Sequence, residues 1–171
     1  MELINQEVKI CSLNTHGIKG NLVYVEKMCI ENDILFISEH WLHNNEQIIL
    51  DSIATDRKVF FYSAMEDTHK IGRVFGGFCW LINNNFKILS YEFISPHISI
   101  IKIQIGIRVI AVIGVYCIYN NNTSEHILIY ENQLSIISSI CDQFNEENLD
   151  YVLLGVLMLT HIAINIHLIK N

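Results

Sequence analysis

The sequence contains almost no proline. Pro96 is the only proline among 171 residues, and 51% of the residues are hydrophobic. Disordered and linker-rich chains have the opposite composition, because they cannot bury enough apolar surface to offset the entropy of folding. The composition therefore excludes a disordered chain. The length suits one domain of ordinary size with its own core.

Positive charge is also scarce. Lysine and arginine together number 11 against 18 acidic residues, which gives a formal net charge of -7 at pH 7. A module that binds nucleic acid by charge alone needs a basic surface, so this class is disfavoured. An enzyme that holds phosphate through a metal ion and a few local cations remains compatible with the charge.

Paired cysteine motifs are absent. The five cysteines are odd in number and widely spaced, and most of them lie inside apolar runs. The N-terminus lacks the basic start and the apolar stretch of a signal peptide. We therefore expect reduced core cysteines in an intracellular protein, in the nucleus or the cytoplasm.

The apolar segment 151–169 is the stretch most similar to a membrane span. His161, Asn165 and His167 interrupt it, and polar residues inside a lipid-spanning helix are costly. We expect no membrane association. A C-terminal anchor that makes the protein a non-enzyme remains an alternative.

The remaining patterns predict a mixed α/β domain in the order strand, helix, strand, helix, several strands, helix, strand. The predicted strands are Val8–Leu13, Ile34–Ile37, Val59–Tyr62, Phe75–Ile82, Phe86–Phe93, Ile98–Ile105, Ile107–Val115 and Tyr151–Leu154. One helix follows Asn21, a second begins at Asn44, and Ser124 is predicted to cap a third, long helix.

Three polar residues each follow a predicted strand: Asn14, Glu39 and Tyr116. If these strand ends share one rim, a carboxylate, an amide and a phenol would surround one position. Such a group with a divalent ion suits the hydrolysis of a phosphodiester. Simpler explanations are a solvated acid for Glu39, a turn residue for Asn14 and a packed ring for Tyr116.

Four segments resemble, in the correct order, the endonuclease/exonuclease/phosphatase superfamily and, within it, the endonuclease domains of non-LTR retrotransposons. The segments are Ser12–Gly17, Ile37–Leu42, Gly72–Gly77, and Val115–Tyr116 followed by Leu153–Gly155. The resemblance covers about Val8 to Gly155. It implies a four-layered α/β sandwich with two packed β-sheets flanked by helices, and a C-terminal part that is incomplete.

The resemblance also implies the chemistry. Asn14 would help to organise the site and to hold the metal, Glu39 would bind the catalytic Mg²⁺, and Tyr116 would contact the phosphate. Mn²⁺ is an alternative ion. The implied reaction is metal-assisted hydrolysis of DNA, without a small-molecule cofactor.

The chain departs from the family after Leu154. The family has Gly-Asp-Phe-Asn there, whereas Gly155 is followed by Val156, Leu157 and Met158. The family's later Ser-Asp-His motif is missing as well. The alternative to a working endonuclease is therefore a catalytically inactive, truncated remnant.

A single-base deletion explains the departure. Gly-Asp-Phe-Asn-Ala-Asp can be encoded as GGT GAT TTT AAT GCT GAC. Without the A of the Asp codon, the same letters encode Gly-Val-Leu-Met-Leu and then a threonine codon, which is the sequence of Gly155–Thr160. We therefore expect residues 1–155 to form the family domain and residues 156–171 to be a frame-shifted, non-native tail.

Overall fold

The alternating apolar runs form strands and the longer periodic runs form helices. The computed structural model describes residues 6–64, 76–116, 123–155 and 162–168. In chain order, the strands are β1 Gln6–Asn14, β2 Ile34–Ser38, β3 Arg57–Tyr62, β4 Phe78–Asn83, β5 Lys87–Ser95, β6 Ile98–Ile105, β7 Arg108–Val115, β8 Asp150–Gly155 and β9 Ile162–Leu168. The α-helices are α1 Leu22–Glu31, α2 Ile48–Ile53 and α3 Ser124–Glu146.

The chain divides into two compact units. The first comprises Met1–Asn84 with Thr160–Asn171, and the second comprises Asn85–Leu159. The first unit holds a five-stranded sheet in the order β3-β4-β2-β1-β9, and the second holds a four-stranded sheet in the order β5-β6-β7-β8.

In the first unit, β1 and β2 are parallel neighbours. Asn14 pairs with Ser38 at the end of the two strands. Because parallel strands point the same way, the residues that follow both strands emerge at the same edge of the sheet. The sheet thus brings the segments after Asn14 and Ser38 side by side.

One face of the first sheet is covered by α1 and α2. The side chains that form this core are apolar, and alternate residues of β1, β2 and β4 contribute to it, as strand geometry requires. The buried residues of this cluster are Cys11, Leu13, Ile18, Val25, Met28, Cys29, Leu35, Ile37, Leu42, Leu50, Ala54, Cys79 and Leu81.

Arg57 joins α1 to the sheet. Its side chain is only 2% exposed, and its guanidinium donates hydrogen bonds to the backbone oxygens of Cys29, Asn32 (2.7 Å) and Asp33 (3.1 Å). These oxygens lie at the end of α1 and just beyond it, where helix carbonyls lack partners within the helix and a cation is favourable. The bonds fix the start of β2 against the start of β3.

In the second unit, α3 covers one face of the sheet. The buried residues of this cluster are Ile98, Ile100, Ala111, Ile113, Val115, Ile140 and Phe144. β8 runs parallel to β7, with Gly155 paired to Val115. Each unit therefore combines one sheet with helices, and the predicted α/β fold with two β-sheets and an incomplete C-terminal region is confirmed.

Two predictions of local structure need correction or comment. Thr123, and not Ser124, caps α3, because Thr123 has an extended backbone and its Oγ1 accepts a hydrogen bond from the His126 N–H at 3.4 Å. Asn21 does precede α1, but its side chain does not cap the helix. Its Nδ2 instead donates to the backbone oxygens of Thr15 and Gly17.

β9 lies within the segment that we expect to be frame-shifted. It pairs antiparallel with β1, from Gln6 opposite Leu168 to Ser12 opposite Ile162. Strand pairing uses main-chain groups that every sequence except proline provides, so the pairing does not reveal the origin of the segment. The division at residue 155 stays a prediction.

Within the described residues, no helix is long and apolar enough to cross a membrane.

Replacement of Arg57 by methionine should destabilise the first unit. We expect Arg57→Met to lower the free energy of unfolding by about 3 kcal/mol or more, because each buried carbonyl left without a donor costs about 1–3 kcal/mol. Urea titration measures the change. The control is Arg108→Met, since Arg108 is 42% exposed and its ion pair with Asp150 is long at 3.9 Å. Equal effects of the two substitutions would contradict the role assigned to Arg57.

Candidate functional site

The pairing of the first two strands continues beyond their ends. The N–H of Thr15 donates to the oxygen of Ser38 at 3.0 Å, and the N–H of Gly17 donates to the oxygen of Glu39 at 2.8 Å. The Thr15 hydroxyl also lies 3.0 Å from the oxygen of Glu39. The loop after β1 thus holds one side of the backbone of Ser38–Trp41, which we call the Glu39 segment.

The other side of the Glu39 segment is held by the residues before β4. The N–H of Glu39 donates to the oxygen of Gly77 at 2.8 Å, and the N–H of Trp41 donates to the oxygen of Gly76 at 3.2 Å. The backbone around Glu39 therefore has partners on both sides, as in the centre of a sheet, although it lies beyond the end of β2.

Two residues of the Glu39 segment have left-handed backbone angles. The φ angle is 54° at Glu39 and 56° at Trp41. Such angles are uncommon outside glycine, and they cluster at functional sites where the surrounding structure holds them in place. Here the hydrogen bonds on both sides hold the backbone, and the backbone sets the direction in which the Cα–Cβ bond of Glu39 leaves the segment.

Aromatic rings from the Glu39 segment lie directly on two glycines. A Cβ atom on Gly77 would be 2.5 Å from Cε1 of His40, and one on Gly17 would be 2.6 Å from Cε3 of Trp41. Both glycines also have positive φ angles, 78° and 98°. No other residue type fits at either position without movement of the ring, and these contacts fix the residues after Glu39.

His40 is fully buried and has a partner at each ring nitrogen. Nδ1 accepts a hydrogen bond from the N–H of Leu42 at 3.0 Å, so Nε2 carries the proton and donates to the oxygen of Tyr62 at 2.9 Å. The ring stacks on Phe61 at 4.7 Å. Burial lowers the pKa of His40 from 6.5 to about 4, and its hydrogen bond to the oxygen of Tyr62 offsets only part of that effect. His40 is neutral at pH 7 and structural.

Asn14, His16 and Glu39 form a group at this edge. Nδ1 of His16 lies 2.7 Å from Oε2 of Glu39. The N–H of His16 donates to Oδ1 of Asn14 at 3.0 Å. The side chain of Glu39 is 14% exposed and that of His16 is 53% exposed, so the carboxylate lies inside the group and the imidazole at its mouth.

Two serines lie near Asn14 on the same sheet face. Strand alternation places Ser12 there, and Ser38 is the pairing partner of Asn14. Both serines are fully buried, and their hydroxyls have no hydrogen-bond partner within the described ranges of the chain. The buried surroundings of Asn14 therefore include two hydroxyls without a partner, although most buried polar atoms in proteins have one.

Tyr116 belongs to the second unit. It follows β7, its N–H donates to the oxygen of His97 at 2.8 Å, and the two rings lie 5.9 Å apart. Gly155, the last residue of β8, is paired with Val115 beside it. The structure thus brings Asn14 and Glu39 together, whereas the convergence of Tyr116 with them stays a prediction.

The donor atoms fit a divalent ion in part. A carboxylate from Glu39 and an amide oxygen from Asn14 are ligands that Mg²⁺ accepts, and Mg²⁺ often keeps several waters in place of further protein ligands. The described part of the chain contains no group of three or more His, Cys, Asp or Glu side chains arranged for a metal. Sequence reasoning missed His16, although its spacing of two residues from Asn14 placed it in the same loop.

Low pH should destabilise the protein through His40. His40 takes up a proton near pH 6.5 in the unfolded state but only near pH 4 in the folded state. Its contribution to stability is therefore complete above about pH 6.5 and is lost as the pH falls from 6.5 towards 4. We expect a loss of about 2 kcal/mol from this residue between about pH 7 and pH 4.5. Urea titrations at several pH values measure it.

The comparison of variants isolates His40. Burial also lowers the pKa of His97. His97 therefore adds a loss of stability at low pH that is the same in every variant. His40→Asn should be less stable at all pH values but should show a flatter dependence on pH. His43→Asn, which replaces a half-buried loop histidine, should keep the full slope. A slope that is unchanged in His40→Asn would contradict the assignment.

The fold resembles several solved structures. The 3'-5' exonuclease NExo from Neisseria meningitidis aligns with a TM-score of 0.63 and 14% identity, over 86% of this chain and 57% of that chain. The catalytic domain of APE2 from Xenopus laevis gives 0.66 and 12%, over 86% and 57%. The AP endonuclease LMAP from Leishmania major gives 0.61 and 14%, over 88% and 55%.

No protein-family model matches the chain, and no curated protein sequence matches it. The chain spans about half the length of the solved structures that it matches, between 44% of TDP2 from Caenorhabditis elegans and 57% of NExo. At these identities the likeness shows the fold alone. The chain shares the fold of these solved structures over about half of their length.

Proposed function

We propose that this chain derives from a metal-dependent phosphodiesterase that cleaves DNA, of the type found in non-LTR retrotransposons. The observation that carries the proposal is the group of Asn14, His16 and Glu39, held at the end of two parallel strands by hydrogen bonds on both sides of the Glu39 segment. The superfamily fold supports it.

DNA is the proposed substrate. One neighbour, the 3' phosphatase NExo from Neisseria, is described as bound to a product DNA hairpin, and it aligns with 86% of this chain at a TM-score of 0.62. The net charge of -7 disfavours binding of DNA by charge alone. A divalent ion in the site would supply the positive charge that the chain lacks, polarise a phosphoryl oxygen and stabilise the leaving oxygen.

The chain's own residues have distinct tasks in this proposal. Glu39 holds the ion, which we propose to be Mg²⁺ with Mn²⁺ as an alternative, and its carboxylate is placed beside Nδ1 of His16 at 2.7 Å. Asn14 provides an amide oxygen and fixes the loop that carries His16. Tyr116 contacts the phosphate, on the basis of the family resemblance.

A second candidate is an inactive remnant of such an enzyme. The specific observation is the sequence after β8, where Gly155 is followed by Val156, Leu157 and Met158 in place of the acidic and amide residues of the family. Members of one catalytic set act together, and the loss of one removes most of the activity. The remnant would keep the metal group and lack turnover.

Plasmid nicking separates the two candidates. A working enzyme should nick supercoiled DNA with Mg²⁺, and EDTA should abolish the activity. Glu39→Ala should lower the rate by more than about 100-fold, since the loss of even an outer-shell partner costs about 10- to 100-fold. The matched control is Glu31→Ala, an exposed acid on α1 paired only loosely with Lys27 at 3.7 Å, which should nick normally. A folded sample without nicking would favour the remnant.

The gene sequence tests the origin of the tail. We expect the codons for Gly155–Thr160 to encode Gly-Asp-Phe-Asn when one base is inserted after the first base of the Val156 codon. Reading of the genomic DNA and of the transcript measures this directly. Codons that give no such motif in another frame would exclude the deletion and leave residues 156–171 as native sequence.

A further inference from the structure

The sheet of the second unit ends at β8. In the order β5-β6-β7-β8, the last strand pairs with β7 on one side, and no strand in the described ranges pairs with its other side. The backbone groups along such an edge can bond to a further strand. We propose that β8 is an interaction surface at which two copies of this chain pair edge to edge in a symmetric dimer. The surface contains no residue of the proposed metal site.

The two edges of this sheet differ in how they are protected. β5, at the opposite edge, has register shifts at Ile88–Ser90 and at Phe93–Ser95, and such bulges twist an edge strand away from further pairing. β8 pairs regularly with β7 along its whole length, and after Asp150 it contains no charged residue and no proline. Bulges, charges and proline are the usual protection of an edge strand. The regular backbone of Tyr151–Gly155 therefore suits a partner strand.

An apolar side chain of β8 extends beyond the cover of α3. Leu153 is 45% exposed, although its pairing partner Ile113 belongs to the core that α3 covers. Tyr151 lies on the same face of β8, two residues earlier, and it interacts with the side chains of Cys141 and Asn145 on α3. These two helix residues therefore identify the side of α3 that faces β8.

The same side of α3 carries exposed apolar residues. Ile127, Leu134 and Cys141 follow one another at intervals of seven residues, which is about two helical turns, so they lie on one side of the helix. Ile127 and Leu134 are exposed. With Leu153 they form an apolar surface between the helix and the sheet edge, which we call the β8 ledge. Contiguous apolar surface of this kind is typical of interaction sites.

A second copy of the chain is complementary to this edge. In an antiparallel pair about a two-fold axis, each β8 meets the same groups that it offers, as an isologous interface requires. An axis at Val152 or at Leu153 places Leu153 opposite an apolar residue of the other copy. The two Asp150 carboxylates then lie at opposite ends of the strand pair, so like charges do not meet.

The helices add the area that the strands lack. A stable interface buries about 1,200–2,000 Å² in total, which is more than two six-residue strands provide by themselves. With the two-fold axis perpendicular to the sheet, both α3 helices lie on the same face of one continuous sheet. The two β8 ledges then adjoin, and each covers apolar side chains of the other.

Sedimentation velocity of the full chain at several concentrations tests the proposal. We expect a monomer–dimer equilibrium for the wild type. Leu153→Lys and Leu134→Lys should each raise the dissociation constant of the dimer by more than about tenfold, because each adds a charge on both sides of the axis and like charges across an interface are strongly unfavourable. Circular dichroism checks that the variants are folded.

Each variant has a matched control. Leu89→Lys replaces a leucine that is 44% exposed on the opposite edge strand, and Leu128→Lys replaces an exposed leucine on the outward side of α3. Both controls should dimerise as the wild type does. A wild type that is monomeric at every concentration overturns the proposal, as does a dimer that Leu153→Lys leaves unchanged. Loss of the dimer in Leu89→Lys would place the interface at β5, and growth into open-ended assemblies would contradict a closed two-fold pair.

Hydrogen exchange of the wild type gives a second measurement that does not depend on the folding of a variant. Backbone N–H groups of β8 should exchange more slowly as the protein concentration rises, since pairing gives the outward-facing ones a partner. Those of β5 should exchange at a constant rate. Absence of a concentration effect at β8, or an equal effect at both edges, would contradict the proposed surface.

Discussion

The first unit depends on the hydrogen bonds on both sides of the Glu39 segment. A strand end normally opens into a loop whose backbone bonds to water, yet here the segment has protein partners on either side. These partners hold Glu39 and Trp41 in left-handed conformations that would otherwise be unfavourable. The backbone that carries the Glu39 carboxylate is therefore anchored to the sheet, and rigid elements position functional groups more precisely than free loops do.

The order of strands and helices from β1 to β8 could be predicted from the sequence because it depends on local hydrophobic periodicity, whereas β9 was not predicted. The positions of Asn14 and Glu39 followed from the same reasoning, since both come directly after apolar strands. Two other features depend on residues distant in the sequence. Arg57 binds the end of α1 from 24 to 28 residues away, and His40 is buried by contacts with Phe61 and Gly77 that no short pattern reveals.

His16 illustrates a different limit. No role for His16 could be derived from its sequence context. The turn made by Asn14 nevertheless points its imidazole at the Glu39 carboxylate. A side chain that belongs to no motif can therefore contact the candidate site because of the geometry of its turn.

The two glycines beneath aromatic rings link pairs of positions in the chain. Gly77 leaves space for the ring of His40, and Gly17 leaves space for the ring of Trp41. A larger residue at either glycine needs both a smaller opposite ring and tolerance of a left-handed backbone angle. A smaller ring alone therefore does not free the glycine to change, and each glycine is constrained twice. The order in which mutations can accumulate around Glu39 is thereby restricted.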